Sequence, residues 1–524
     1  MPDVVEPAPL VTPAGEGEPA PVLGALPPVH PAERPATDPS EREVARSFLR
    51  GVAWTGVLKL AGQLVAWSST VVVARLLSPT DYGIVGMATI FLGLLQAVSE
   101  FGIGTAVVTR REMPRATAEQ LHTVSVLLGI VGTLVGIICA PAVAWFYRSR
   151  ELPAVLAAMS FTFLIASFRS VPWALLQREL RFKRLAVYDA VQAIALAGAS
   201  VGLAAAGFRY WTLVAAALLS ATLSSAIALW LHPIRFARPH PGRLRGVLRF
   251  GSDVVLQRLA WYGYSNSDFL IAGRMLGSAQ LGAYSLAYEI SHIPSNKIGA
   301  MLFQLTTPVL GRLQHAHDAL RRMFLRVNEA LLIVVGPMCV GIAVVAPDFV
   351  PLVLGEQWRS MILPLQVLSA YAAVTVLLTV PSQTLLVTGH ERFGTRYAFA
   401  QLLVMPVAFL IGARWGIGGL ALAWPLVHPV LAAVLLRKVL SELRIPWAVF
   451  IRDVVWPGGS SCALMALGVW AARRAVPHRP TYGVLACEVA LGAAIYVGSL
   501  LLLHGRQVRE AVDAIRSLRT GPAA

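Results

Sequence analysis

Residues 120–146 read QLHTVSVLLGIVGTLVGIICAPAVAWF and contain no Asp, Glu, Lys or Arg. At 1.5 Å of rise per residue, about 20 such residues in a helix cross a hydrocarbon core of roughly 30 Å. Blocks of the same character lie on either side, at 50–77, 83–108, 153–176, 185–206, 211–232, 250–276, 280–307, 323–346, 360–386, 397–413, 417–436, 450–472 and 482–503. Pro172, Pro294, Pro337, Pro381, Pro406 and Pro425 stand inside them, as helices in a membrane bundle tolerate. With the quoted block these make fourteen spans, and the expected fold is an all-α polytopic membrane protein.

Composition agrees. Of 524 residues, 56% are hydrophobic and 14% charged, with a mean hydropathy of +0.64, whereas soluble domains carry about 25% charged residues. A soluble enzyme with a small anchor, a fibrous protein and a disordered chain are excluded. The net charge of +16 does not imply a nucleic-acid partner, because the Lys and Arg residues sit between apolar blocks. With a cytoplasmic N-terminus, 30 of the 44 Lys and Arg fall on the cytoplasmic side, 8 on the other and 6 within spans. That split predicts a multi-pass protein of the plasma (inner) membrane with both termini cytoplasmic. Cys139, Cys339, Cys462 and Cys487 all lie in apolar blocks and read as small hydrophobes, neither a disulfide framework nor a metal site.

The ends and the middle of the chain differ from the spans. Residues 1–48 are acidic and hold eleven of the 34 prolines within the first 40 positions, the composition of a disordered cytoplasmic tail. The basic, Pro-rich linker 233–249 separates an N-lobe, 49–232, from a C-lobe, 250–436. Two further spans occupy 450–503, and residues 504–524 form a basic tail with Val508, Val512, Ile515 and Leu518 on one helical face. Shifting the chain by 199 residues matches 52–88 to 251–287 at Leu60/Leu259, Ala61/Ala260, Ser68/Ser267, Arg75/Arg274, Leu77/Leu276, Gly83/Gly282 and Ala88/Ala287. Lys59 then pairs with Arg258. The two six-helix lobes are expected to be parallel pseudo-repeats around a central cavity.

Charges inside the spans are the candidates for function, since a charge in hydrocarbon is costly and normally faces a cavity or a partner. Lys59 and Arg258 fall near mid-membrane in the first and seventh spans, placed to hold an anion such as a diphosphate. Arg75 and Arg274 lie near the far ends, where they either join that anion site or snorkel to the headgroups. Asp268, Glu289, His292, Lys297 and Glu100 serve either ion coupling or charge pairing. Glu100 and Glu488 have no partner evident from spacing. Gly198-Ala199-Ser200-Val201-Gly202 fits a serine-hydrolase pattern, but it lies mid-helix without strand–turn–helix context. Close helix packing is the expected use of these small residues, as of Gly132 and Gly136. Phosphate-loop and zinc motifs are missing from the sequence, so no catalytic residue, metal or organic cofactor is expected, and the chain is not read as an enzyme.

Several segments resemble the polysaccharide and oligosaccharide flippases, in particular the colanic-acid-exporter-like branch of the multidrug/oligosaccharidyl-lipid/polysaccharide exporter superfamily. They are Ala74–Gly83 (ARLLSPTDYG), Phe101–Ala106 (FGIGTA), Val171-Pro172 with Leu175–Phe182 (LLQRELRF), Asp268–Gly277 (DFLIAGRMLG) and Leu281–Tyr288 (LGAYSLAY). The similarity runs from about residue 48 to 440. The resemblance implies two six-helix bundles that rock between inward- and outward-open states, with helices 1, 2, 7 and 8 lining the cavity. It also implies an undecaprenyl-diphosphate-linked glycan as cargo and coupling to a proton or sodium gradient.

The expected function is therefore flipping of a lipid-linked oligosaccharide for cell-surface polysaccharide biosynthesis, with membrane lipids and polysaccharide polymerase machinery as partners. An ion-coupled multidrug or small-molecule exporter on the same architecture is the alternative, and it would favour a pocket dominated by acids. A membrane glycosyltransferase would need acidic residues in a sizeable loop between spans, which the sequence lacks.

Overall fold

The computed structural model describes residues 62–63, 65–99, 114–178, 182–239, 259, 261–313, 316–388, 390–475 and 481–520. The tail 1–48, most of the linker, Lys59, Glu100 and Arg258 lie outside them. Every regular element among the described residues is helical. The first half contains α1 (Val65–Leu76), α2 (Pro79–Ser99), α3 (Arg115–Tyr147), α4 (Leu152–Arg178), α5 (Phe182–Ala205) and α6 (Tyr210–Leu231). The second contains α7 (Ser267–Leu276), α8 (Ser278–Leu313), α9 (His317–Phe349), α10 (Ile362–Thr375), α11 (Glu391–Gly412) and α12 (Gly416–Glu442). After these come α13 (Trp456–Ala475) and α14 (Tyr482–Thr520), the latter broken by non-helical backbone at His504. This order follows the apolar blocks, except that the block 360–386 is shared by α10 and a short helix, Thr379–Val387, and that a single helical turn, Trp447–Phe450, precedes α13.

Among the described residues, eight helical stretches are long and apolar enough to cross a membrane, and one of them, Phe393–Glu442, spans both α11 and α12. Their outer surface is hydrocarbon-like: Trp145 is 82% exposed and Leu502 87%. A water-soluble chain rarely leaves so much apolar surface bare.

Local chemistry sets the helix boundaries. Ser78 and Asp81 cap α2 reciprocally: the Ser78 amide donates to Asp81 Oδ2 at 2.9 Å, and the Asp81 amide to Ser78 Oγ at 3.3 Å. Pro79, in the first helical position, has no amide proton to leave unsatisfied. In the first lobe α3 packs on α4 through small residues, Gly129 against Ser167 and Gly136 against Ser160. Gly198 and Gly202 do not share that role. A methyl group added at either would meet nothing within 4 Å, because α5 turns both toward its exposed side.

The halves join through α2 and α8. Gly83 lies against the carbonyl of Ser278, and Gly282 against the carbonyl of Pro79, so closely that a Cβ on either would collide. The core at this crossing draws Met87 and Ala88 from the first half and Leu281, Tyr284 and Ala287 from the second. The first half also relies on the second for the end of α1. The Gln357 amide nitrogen reaches the carbonyls of Ala74, Arg75 and Leu77 at 3.3, 3.1 and 3.1 Å. Trp358 Nε1 donates to the Ala74 carbonyl at 2.8 Å. These are the carbonyls that a helix C-terminus leaves without intrahelical partners.

Candidate functional site

A cavity of about 820 Å³ opens among α7, the segment 261–266 that precedes it, α8, α10, the short helix Thr379–Val387, α11 and α12. All six helices belong to the second half. Its position follows from polar residues set into otherwise apolar helices: Asn266, His292, Tyr371, Gln401 and His428 all turn toward it. Buried polar groups must find hydrogen bonds, and here they find one another. Tyr371 Oη bonds His428 Nδ1, and His428 Nε2 lies 2.8 Å from Gln401 Nε2, which is 3.3 Å from Tyr397 Oη.

Asp268 sits behind this wall, fully buried. One carboxylate oxygen accepts from Tyr284 Oη at 2.8 Å and from Trp424 Nε1 at 3.2 Å, and the other accepts from the Phe269 amide at 2.9 Å. A hydroxyl, an indole and an amide thus hold it, not Arg274 or Lys297. His292 stacks on Tyr288, with ring centroids 4.1 Å apart, and its Nδ1 bonds Ser291 Oγ and the Tyr288 carbonyl. Glu289 and Lys297 are exposed on α8. The i,i+3 spacing of Glu289 and His292 therefore does not assemble them into one charged cluster with Asp268.

The paired arginines of the repeat have different surroundings. Arg75 donates to the carbonyls of Val353, at 2.7 Å, and Leu352, and to Tyr482 Oη at 2.8 Å. It ties the end of α1 to the turn after α9 and to the start of α14. The Arg274 guanidinium lies 5.6 Å from the centroid of the Phe146 ring of α3, a cation–π contact between halves.

Reading formal charge alone missed Tyr284, Tyr371, Gln401, Trp424 and His428. The signal available was a set of neutral hydrogen-bonding side chains inside spans 8 and 10–12. Glu488, without a partner by spacing, pairs with Arg473: Nε lies 2.8 Å from Glu488 Oε1 and Nη2 2.6 Å from Asp348 Oδ2. Arg473, one of the 8 cations counted on the non-cytoplasmic side, is the half-buried clasp of α9, α13 and α14, and the two carboxylates it holds are buried.

Known proteins share this architecture. A family model described as "Polysaccharide biosynthesis protein" matches residues 72–363. The chain is 24% identical over 456 residues to the lipopolysaccharide biosynthesis protein WzxC of Escherichia coli (strain K12), covering 85% of this chain and 88% of that one. It is 24% identical over 397 residues to the teichuronic acid biosynthesis protein TuaB of Bacillus subtilis (strain 168), covering 75% and 81%. Among solved structures, the lipid II flippase MurJ in an inward closed conformation superposes with a TM-score of 0.68 at 10% identity, over 87% of this chain and 100% of that one.

Proposed function

Since this chain belongs to the polysaccharide biosynthesis protein family, we propose that it is a flippase for an undecaprenyl-diphosphate-linked oligosaccharide. It carries this cargo from the cytoplasmic to the outer leaflet of the plasma membrane, for assembly of a cell-surface polysaccharide. The observation that carries this reading is a large hydrogen-bonding cavity inside a bundle whose outer surface suits hydrocarbon. A hydroxyl-rich headgroup cannot cross lipid unaided, and a polar cavity among the helices of the second half offers it a path. The polyprenyl chain stays in the bilayer. Lys59 and Arg258, one from each half, hold the diphosphate. Asp268 couples the cycle to a proton or sodium gradient from its seat between Tyr284 and Trp424. Relatives that act in lipopolysaccharide and teichuronic acid biosynthesis support the choice of cargo. The chain acts as a transporter, not an enzyme, and hands its product to polymerase machinery on the outer face.

The test is the leaflet distribution of radiolabelled undecaprenyl-diphosphate glycans in cells that lack the protein. Accumulation on the cytoplasmic face, reversed by the intact gene and not by the double variant Lys59→Ala/Arg258→Ala, is expected. Normal arrival at the outer face without the protein would sink the proposal.

A further inference from the structure

The diphosphate, the lipid and the sugar of such a cargo need different surroundings, and the cavity of the second half suits only one of them. None of its described lining residues is Asp, Glu, Lys or Arg, so these side chains offer no carboxylate, ammonium or guanidinium partner to a diphosphate. Its hydroxyls and amides, among them Asn296, Ser382 and Gln401, make it a poor solvent for a polyprenyl chain. A second cavity, of about 490 Å³, lies across the 261–267 segment and is lined by Ile90, Phe91, Val143, Phe146 and Leu270. That one is nearly all hydrocarbon. Asn266 borders both, so this segment divides an apolar space from a neutral polar one.

Neutral, hydrogen-bonding and lined by rings is the chemistry that takes carbohydrate. A sugar ring has faces of C–H groups that pack on aromatic planes, and a rim of hydroxyls that bond amides. Trp261, 57% exposed at the cavity, and the Tyr288–His292 stack supply the planes. Exposed Asn296 supplies an amide. The back wall is fixed in advance, because Tyr371, His428 and Gln401 bond one another and Trp424 is held by Asp268. Rigid walls reduce the ordering cost of binding. The volume lies in the upper part of the roughly 300–1,000 Å³ range of small-molecule sites, which suits a short oligosaccharide better than a single sugar.

We propose that this cavity is the glycan seat of the transporter: it binds the uncharged, polyhydroxylated part of the cargo through Trp261, the Tyr288–His292 stack and Asn296. The proposal rests on the flippase reading and adds where the sugars are held.

Two cargoes separate the two ideas in cells expressing the full chain. One is the complete lipid-linked oligosaccharide; the other is the same lipid diphosphate bearing its first sugar alone. Trp261→Ala and Asn296→Ala alter exposed side chains, so the fold is spared and protein level serves as the control. Each is expected to slow appearance of the complete cargo at the outer leaflet by about tenfold, the equivalent of one lost stacking or hydrogen-bonding contact. The single-sugar lipid should slow by no more than about twofold on the same scale. Unchanged flipping of the complete cargo in both variants overturns the glycan seat and leaves the flippase reading standing. Equal slowing of both cargoes at normal protein level also overturns it, since the cavity would then not sense the glycan. If the intact protein moves neither cargo, the flippase reading fails, and the glycan seat with it.

Discussion

Gly83 and Gly282 occupy the same place in the two halves, 199 residues apart, and each presses on the first residue of the helix that carries the other. Gly83 in α2 meets the carbonyl of Ser278, which opens α8; Gly282 in α8 meets that of Pro79, which opens α2. Pro79 and Ser278 are themselves related by the same shift of 199. The contact is therefore a two-fold crossing within one chain, and only glycine admits it, since any Cβ would strike backbone.

Gly83→Ala and Gly282→Ala should accordingly give matching defects. Overpacking of this kind costs about 1–3 kcal/mol, enough to shift the balance between access states about tenfold. Export of lipid-linked glycan is the readout. A large loss in one variant beside normal export in the other would show that the crossing does not bear equally on both halves.

Gln357 and Trp358 cap α1 from the opposite half, and that cap exists only while the halves are together at this end. Gln357→Ala should lower the cost of separation by about 1 kcal/mol. In a chain whose four native cysteines are replaced, a reporter Ser278→Cys should then react severalfold faster with a membrane-impermeant thiol reagent. An unchanged rate would mean that the cap does not hold the crossing shut.

Asp268→Asn keeps size and removes charge. One of its side-chain atoms becomes an NH2 group facing a donor, either the Phe269 amide or the Tyr284 and Trp424 pair. Unfolding in detergent should come earlier, by the equivalent of about 1–3 kcal/mol, and gradient-driven export should be lost. Tyr284→Phe removes one donor, so its effect on both readouts should be smaller. Full gradient-driven export by Asp268→Asn would remove this carboxylate from the coupling mechanism.

Arg473→Ala strips two buried carboxylates of the cation between them, and breaking such a pair from one side typically costs about 3–5 kcal/mol. Arg473→Lys should recover only part of this. Arginine reaches Glu488, Asp348 and the Val344 carbonyl with three different nitrogens, whereas an ammonium is a single point. Thermal unfolding of the purified protein, read alongside protease cutting near α14, measures both.

Much of this architecture is legible in the chain because hydropathy acts locally: a span such as 120–146 must cross a membrane whatever its neighbours do. The equivalence of Gly83 and Gly282 is also visible as a repeat, yet their mutual contact is not, because a repeat does not say which faces meet. The same shift pairs Arg75 with Arg274, but one binds carbonyls and the other a Phe ring; the repeat keeps the residue type and not the surroundings. The cavity was hidden for a different reason. Tyr371, Gln401 and His428 are neutral, come from three helices, and form a network only once those helices pack. Formal charge is the easiest polar signal to find in a membrane span, and this site has almost none.

The cap on α1 has a consequence for biosynthesis. The bond from Gln357 to Ala74 joins residues 283 apart. A ribosome has thus made the whole first half, and much of the second, before the end of the first described helix acquires its partners. Until then those carbonyls depend on water or lipid headgroups at the membrane surface. A chain split after α6 and expressed as two fragments should leave the first fragment exposed to quality-control proteases until the second arrives. Complementation between the fragments would be an assembly step timed by residues 357 and 358.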